Sequence, residues 1–553
     1  MRTALIFPPQ WDPRQPPLAP AVLARVLELS GNETRVFDLN VALYQNLLKT
    51  RAKGGIEDFL LKRLFDVKML DDAEQYLQIS QKVQQVFEER FDPDGKVRLF
   101  WDGCVGLPTV VSSSGWKSII ACSDRNPFVE HLRAEINCLV EFAPDVAGFS
   151  IISDTQLSAA LAIAGIIRRA LPECRIVLGG DAVTYRRSLL PEMDWMQETF
   201  AGACVGDGEP FLQAMAEGKN IAVAANGIAW PTKGIAQVSN ECLQKMDDSQ
   251  FPDFEALPLE KYLTPGLVIP VETARGCPWG RCAFCIHPVR SATGRPLYRP
   301  KPIDLVEKEF KKLFAAGHRR FFVVDEAMPP ARISALADLF LALPESVSWI
   351  GYARLDKGHT FEIFKKARLS GCKKLFVGVE TGSNRILKKF NKGVDFNRAR
   401  RVLLNAAAAG LAVHFFLMTG FPDETQADRQ ATLDLLSEVL PAFDPFGFSF
   451  DLFMLNAELE TDLVAHPHKF GWARPEKDSG RDLAWQFPVK SGSQALSEYA
   501  EFRGCIEELA DKVFGPAFGL RHAALAQDSL HLLLIEARER KLLDSKEGRA
   551  VLW

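Results

Sequence analysis

Short apolar runs alternate with amphipathic stretches along most of this chain, and the runs are strand-length. Ala4–Phe7 is the first, stopped by Pro8 and Pro9, which predicts a buried parallel strand and a loop carrying Trp11. Leu18–Leu29 has helical spacing, and Thr34–Asp38 reads as a second strand. From about Ala42 to Glu135 the pattern turns irregular, charged and helix-rich, as an insertion would. The alternation then resumes. Val146–Ile152 is a strand ending in Ser153, Asp154, Thr155 and Gln156, Leu157–Ala170 a helix, and Arg175–Leu178 a strand turning at Gly179 and Gly180. Ala203–Val205 is another strand, closed by Gly206, Asp207, Gly208 and Glu209. This rhythm predicts right-handed crossovers and an α/β, doubly wound Rossmann-like sheet over residues 1–246.

A polar, proline-marked linker is expected at 247–265. Beyond it Val268–Glu272, Arg320–Val324, Ser348–Tyr352, Lys374–Val379, Ala412–Met418 and Phe448–Leu455 read as strands separated by helices. Six strands in this pattern predict a parallel (β/α)6 partial TIM barrel over 266–455, with functional residues at the carboxyl ends. Residues 456–553 turn charged and helical, with helical periodicity over Ser497–Phe514 and Leu525–Leu543 and with Trp472, Trp485 and Trp553. A helical cap on the open side of the barrel and a substrate lid both fit that stretch.

Composition narrows the classes. The chain has 553 residues, too many for one core. Its net charge of −4 gives no electrostatic case for nucleic acid or an anionic membrane as a partner. No run is apolar enough to span a bilayer, and the opening segment has too short an apolar run for a signal peptide. Eight of the eleven cysteines are scattered singly, which suits a reducing compartment, so a cytoplasmic enzyme is expected.

The other three cysteines carry the chemistry. Cys277, Cys282 and Cys285 fall within nine residues, spaced C-x4-C-x2-C. Three thiolates suit three corners of a 4Fe–4S cubane and leave one iron open. A zinc site completed by His287 is the competing reading, although structural zinc sites draw on separated ligand pairs. Phe284, between the last two cysteines, would shield a cluster from water. The segment resembles the radical S-adenosylmethionine (SAM) enzymes, whose usual spacing is C-x3-C-x2-C. Gly-Val-Glu-Thr-Gly-Ser at 378–383 and Gly-Phe-Pro-Asp-Glu-Thr at 420–425 resemble that family's ribose and adenine motifs.

The N-terminal strand ends lack a dinucleotide G-x-G-x-x-G and a P-loop. As a set they resemble the cobalamin-binding domain that precedes the barrel in one large class of radical SAM enzymes. D-x-H-x-x-G, the source of a lower-face histidine in many cobalamin modules, is missing, and the first histidine is His131 in the insertion. The resemblance therefore implies cobalamin with no histidine on cobalt, held by Pro8, Pro9, Trp11, Ser153–Gln156, Gly179, Gly180 and Gly206–Glu209. For SAM it implies Phe284 beside the cluster, Arg354 on the carboxylate, Asp325 or Glu326 on the amine, Glu380 and Ser383 on the ribose, and Gly420, Phe421 and Pro422 along the adenine.

The reaction the resemblance implies is methylation of an unactivated carbon in a small molecule or peptide, using methylcobalamin and a 5′-deoxyadenosyl radical. An external flavodoxin- or ferredoxin-type electron donor would supply the reducing equivalents. Cyclisation or ring rearrangement without methyl transfer uses the same layout and stays open. A zinc-stabilised binding protein is the non-enzymatic rival. A methylthiotransferase is disfavoured, because Cys104, Cys122 and Cys138 are spaced too widely for a second cluster motif. Cys372 reads as structural, and His287 and Tyr298 serve equally as proton relays or as packing.

Overall fold

The computed structural model describes residues 1–48, 56–92, 97–101, 104–105, 110–219, 227–229, 246–247, 251–287, 298–476, 481–515, 518, 522 and 528–544. The chain forms two compact units. One comprises Met1–Phe65, Gln78–Pro265 and Glu476–Trp485, and the other Asp66–Leu77, Gly266–Pro475 and Gln486–Trp553.

The first unit is built on a parallel sheet of β1 (Arg2–Phe7), β2 (Glu33–Asp38), β3 (Val146–Ser150), β4 (Arg175–Gly179) and β5 (Gly202–Cys204). Their order is β2-β1-β3-β4-β5, and β6 (Gly227–Ala229), which the pattern did not announce, pairs antiparallel with β5 at the edge. Leu5 of β1 lies opposite Val36 on one side and Gly148 on the other. A sheet in this order reverses its winding between β1 and β3, the point where open α/β sheets take ligands. Ser153 and Gln156 form a capping box that starts the helix Asp154–Ala170 after β3. The insertion is helical, and its core is aromatic: Phe87 meets Tyr44 and Trp101 edge-on at 4.9 and 5.1 Å.

In the second unit β7 (Ile269–Val271), β8 (Arg320–Met328), β9 (Ser348–Ala353), β10 (Cys372–Glu380), β11 (Ala412–Thr419) and β12 (Phe448–Met454) are all parallel and adjacent in chain order. This is the open six-stranded barrel the periodicity predicts. The helix Ser493–Phe514 lies against the outer face of β12, with Phe448 5.8 Å from Phe514 and the Tyr499 hydroxyl donating to Leu452 O at 2.9 Å. The last helix, Asp528–Asp544, packs at the amino ends of the strands. There Glu536 pairs with Arg320 at 2.7 Å, and Glu539 takes both Lys373, at 2.6 Å, and Arg368. The first three residues expected in that helix, and Trp553, lie outside the described residues. Among the described residues no helix is long and apolar enough to cross a membrane.

Candidate cofactor and active site

The cysteine loop leaves the carboxyl end of β7 and is pinned from beneath by two carboxylates, Asp325 and Glu326. Asp325, 1% exposed, accepts from the Thr273 amide at 2.6 Å, the Thr273 hydroxyl at 2.5 Å and the Ala274 amide at 3.0 Å. Burial pushes its carboxyl up to about 6, against those three hydrogen bonds. Glu326 accepts from the Gly276 amide at 2.9 Å. Of the two candidates for an amine partner, Asp325 is thus spent on the loop's stem, whereas Glu326 keeps an exposed side chain.

The loop's far side is held by the turn after β10. Ala283 donates to Phe390 O at 2.9 Å, the Asn391 amide group to Arg281 O at 3.1 Å, and the Trp279 indole to Asn391 O at 2.8 Å. Phe284 packs against a buried cluster of Phe390, Phe421 and Phe470, which anchors the loop. Phe421, 1% exposed, is part of that same cluster. Cys282 is buried, Cys277 and Cys285 are half-buried, and His287 is exposed. Burial pushes the Cys282 thiol up, with Lys392 and Arg354 pulling it back, and pushes Cys285 up more strongly.

Arg354, 6% exposed, is placed by the end of β9. Its guanidinium reaches Cys282 Sγ at 3.9 Å, donates to Lys392 O at 2.7 Å and lies 5.2 Å from the centre of the Trp279 ring. Lys392 is itself buried and paired with Glu380. Sequence reading missed both Lys392 and Trp279. The run Asn391-Lys392-Gly393 carried a faint signal, since it follows a short helix that begins at the 378–383 motif. Among the described residues no three His, Cys, Asp or Glu side chains converge on a point that one ion could occupy. Cys277, Cys282 and Cys285 lie on one short loop, a donor set that suits a cluster taking one thiolate per iron.

The two later motifs prove largely to be joints between strand and helix. Ser383 donates to Asp428 at 2.5 Å and caps the helix Asn384–Lys389. A Cβ at Gly382 would sit 2.1 Å from Ala431 O, so glycine there permits close packing of the helix Gln426–Val439. Glu424 takes the Thr419 hydroxyl at 2.7 Å and the Gly420 amide at 2.8 Å, and Thr425 forms a capping box with Asp428. Pro422 is half-buried beside this joint.

In the first unit the strand ends gather at the carboxyl edge of the sheet. Pro8 and Pro9 are buried, and Trp11 is half-buried, its amide donating to Asn40 at 2.8 Å. Gln156, fully buried, donates to Pro8 O at 2.7 Å and accepts from Ile152 N at 2.8 Å, which ties β1 to the turn after β3. Thr155 donates to Gln10 O at 2.9 Å and to the Ser153 hydroxyl at 3.1 Å. Asp154 receives buried Arg186 through two bonds of 2.8 Å and the Trp485 indole at 3.0 Å. Gly179 and Gly180 are half-buried; a Cβ on Gly180 would meet Ile151 O at 2.3 Å, so that turn hugs its own sheet. Gly206 is different: its φ is +87°, and a Cβ there would meet nothing within 4 Å. Asp207 and Gly208 are half-buried beside it and Glu209 is buried. The edge after β5 is therefore open backbone, the kind of surface a large planar cofactor can approach. His131 is stacked on Phe91 at 5.4 Å with its Nε2 2.9 Å from Phe91 O, committed to the insertion.

Residues 271–436, which run from the end of β7 into the helix Gln426–Val439, match the model of the radical SAM superfamily. An uncharacterized methyltransferase of Pyrococcus horikoshii is 25% identical over 307 residues, covering 53% of this chain and 64% of that one. A putative methylthiotransferase of Methanocaldococcus jannaschii is 26% identical over 320 residues, 55% of this chain and 68% of its own. A tRNA-2-methylthio-N(6)-dimethylallyladenosine synthase of a Ruegeria species matches over 47% of its length, so the first of these relatives are spanned over less than two thirds. Among solved structures, OxsB, a cobalamin-dependent SAM radical enzyme with aqua-cobalamin and SAM bound, superposes with a TM-score of 0.54 at 16% identity. That superposition covers 76% of this chain and 68% of OxsB. TsrM from Kitasatospora setae, a radical SAM methyltransferase with cobalamin and a [4Fe-4S] cluster bound, gives 0.50 at 16% identity, over 84% of this chain and 73% of its own. The fold of this chain is the fold of those enzymes.

Proposed function

We propose that the protein is a cobalamin-dependent radical SAM methyltransferase acting on an unactivated carbon of a small molecule or peptide. The observation that carries this reading is the cysteine loop at the carboxyl end of β7, with Cys282 buried, backed by two cationic side chains and set on an open six-stranded barrel. Cys277, Cys282 and Cys285 would hold the cluster. Arg354 would meet the carboxylate of SAM, and Glu326 is the freer of the two candidates for its amine. Glu380, engaged by Lys392, Ser383 and the Gly420–Pro422 turn are assigned to the nucleoside end. Pro8, Pro9, Trp11, the turn Ser153–Gln156, Gly179, Gly180 and the turn Gly206–Glu209, open at Gly206, would hold cobalamin. When bound, the cluster delivers one electron to SAM and cobalamin carries the methyl group. The protein orients these groups and excludes water, and an external flavodoxin- or ferredoxin-type protein would reduce it.

Methyl transfer is favoured over methylthio transfer by the cysteines outside the loop. Cys104, Cys122 and Cys138 are spaced too widely along the sequence to form a second cluster motif. The test is anaerobic reconstitution with iron, sulfide and cobalamin, metal analysis, and product analysis with SAM and a strong reductant. Iron and cobalt in the protein, with 5′-deoxyadenosine and S-adenosylhomocysteine released together, are expected. Bound zinc without iron overturns the reading. 5′-Deoxyadenosine without S-adenosylhomocysteine in the presence of a turned-over substrate assigns the chain to cyclisation or rearrangement instead.

A further inference from the structure

The assignments above leave the inner faces of the last two strands of the barrel without a task. Their register sets His414 opposite Ser449 and Phe416 opposite Asp451. Phe448 and Phe450 of β12 pack outward, against Phe514 and His522, so alternation turns Ser449, Asp451 and Phe453 to the barrel's inner face. His414 is 1% exposed, with Nδ1 2.8 Å from the Ser449 hydroxyl and Nε2 3.3 Å from Asp451 Oδ2. That second approach falls short of hydrogen-bond geometry, which leaves Nε2 buried, unsatisfied and aimed at the carboxylate.

A carboxylate whose only task is solvation needs no buried imidazole behind it, because an incompletely bonded buried nitrogen costs free energy. Asp451 nevertheless retains 43% of its side-chain surface. Beside it Phe453 is 48% exposed, and the half-buried Phe416 ring lies 6.1 Å from Phe453 and 6.3 Å from Tyr352. Burial holds His414 down at about 4, so the imidazole is neutral and does not cancel the neighbouring charge. Burial raises the Asp451 carboxyl, yet it stays below the ordinary carboxylate range and is therefore ionised. Lys374, the nearby cation, is fully buried with its ammonium over the Phe376 ring, so a molecule in the barrel meets the carboxylate and the rings.

We propose that Asp451, flanked by Phe416 and Phe453, is a substrate-anchoring site that selects molecules carrying a basic nitrogen beside a planar ring. This deepens the radical SAM reading and rests on it. An ammonium gains a charge-assisted hydrogen bond from the carboxylate and a cation–π contact from the rings, while an anionic group is repelled.

The test uses the full, reconstituted chain and three probes of one shape: 2-phenylethylamine, 2-phenylethanol and 3-phenylpropionate. Affinities are read by calorimetry, and SAM binding by the change it makes in the cluster's paramagnetic resonance spectrum. The amine is expected to bind at least about tenfold more tightly than the alcohol, with the acid weakest. Asp451→Asn should erase that preference, and Phe453→Ala, at an exposed position, should weaken amine and alcohol alike. SAM should perturb the cluster spectrum equally in all three proteins. Equal binding of amine and alcohol, no binding of the amine at millimolar concentration, or a preference that survives Asp451→Asn overturns the assignment. A wild-type cluster spectrum unmoved by SAM sinks the underlying radical SAM reading instead.

Discussion

Lys392 shows how much of a site a single side chain can decide. Its ammonium is buried against Glu380, next to Cys282 and to the Arg354 guanidinium that bonds its carbonyl. The side chains of Lys392 and Glu380 are 8% and 9% exposed, so removing one partner strands a buried charge. Lys392→Met is expected to cost roughly 3–5 kcal/mol of stability in denaturant unfolding, with Lys392→Met/Glu380→Gln recovering much of it. If the single variant unfolds at the wild-type midpoint, the pair does not support the loop. The sequence made Arg354 visible, because it ends a strand, and hid Lys392, because it sits in a turn after a short helix with no periodic signal. It also assigned Ser383 to the ribose, where the structure gives its hydroxyl a helix to cap and Asp428 to bond. Motif residues at a strand end serve the fold and the ligand with the same few atoms, and spacing alone does not separate the two.

At the scale of elements, the central strands were legible because they are short apolar runs buried on both faces, as β1 and β3 are. The antiparallel β6 was not, since an edge strand of three residues carries no pattern. Joints between elements were illegible for another reason: they rest on pairs distant in sequence. Asp38 at the end of β2 is the clearest case. It accepts from the Val41 amide at 2.9 Å, starting the helix Leu39–Leu48, and from the Tyr262 hydroxyl at 2.5 Å, across 224 residues. Burial pushes its carboxyl up to about 6, against the pull of those hydrogen bonds. A carboxyl raised in the folded state binds its proton there before the unfolded chain does. Its contribution is therefore largest below the unfolded value of 3.8 and is lost as pH rises toward 6. The stability of wild type minus that of Asp38→Asn should fall by about 1 kcal/mol per pH unit across that window and stay level above it. A difference flat from pH 4 to 7 would mean that Asp38 titrates normally and the joint is solvated.

At the scale of the whole molecule, the division of labour was readable and the course of the tail was not. Residues 476–485 belong with the N-terminal sheet, where Leu483 O takes Arg186 and Asp482 takes the Ser113 amide, whereas Gln486–Trp553 belongs with the barrel. Charged, aperiodic stretches carry no mark of which unit they join. The helix Asp528–Asp544 covers the amino ends of the barrel strands, opposite the end that carries the cysteine loop. Glu536 and Glu539 there neutralise Arg320, Arg368 and Lys373, and Leu533 packs within 3.0 Å of where a Cβ on Gly266 would lie. Ending the chain at 527 would remove those contacts without touching a residue assigned to SAM, cobalamin or the cluster. Three partly buried cations would then face one another unpaired, and the apolar side chains beneath would meet water. Hydrogen exchange should lose protection in β7–β10 while β1, β3 and β4 keep theirs, because stability is carried by local cores. Cluster content after reconstitution should fall only as far as the barrel unfolds, and recover on cooling. Equal loss of protection in both sheets would show that the helix supports the chain as one cooperative body, and unchanged protection in β7–β10 would show that the barrel closes its own floor.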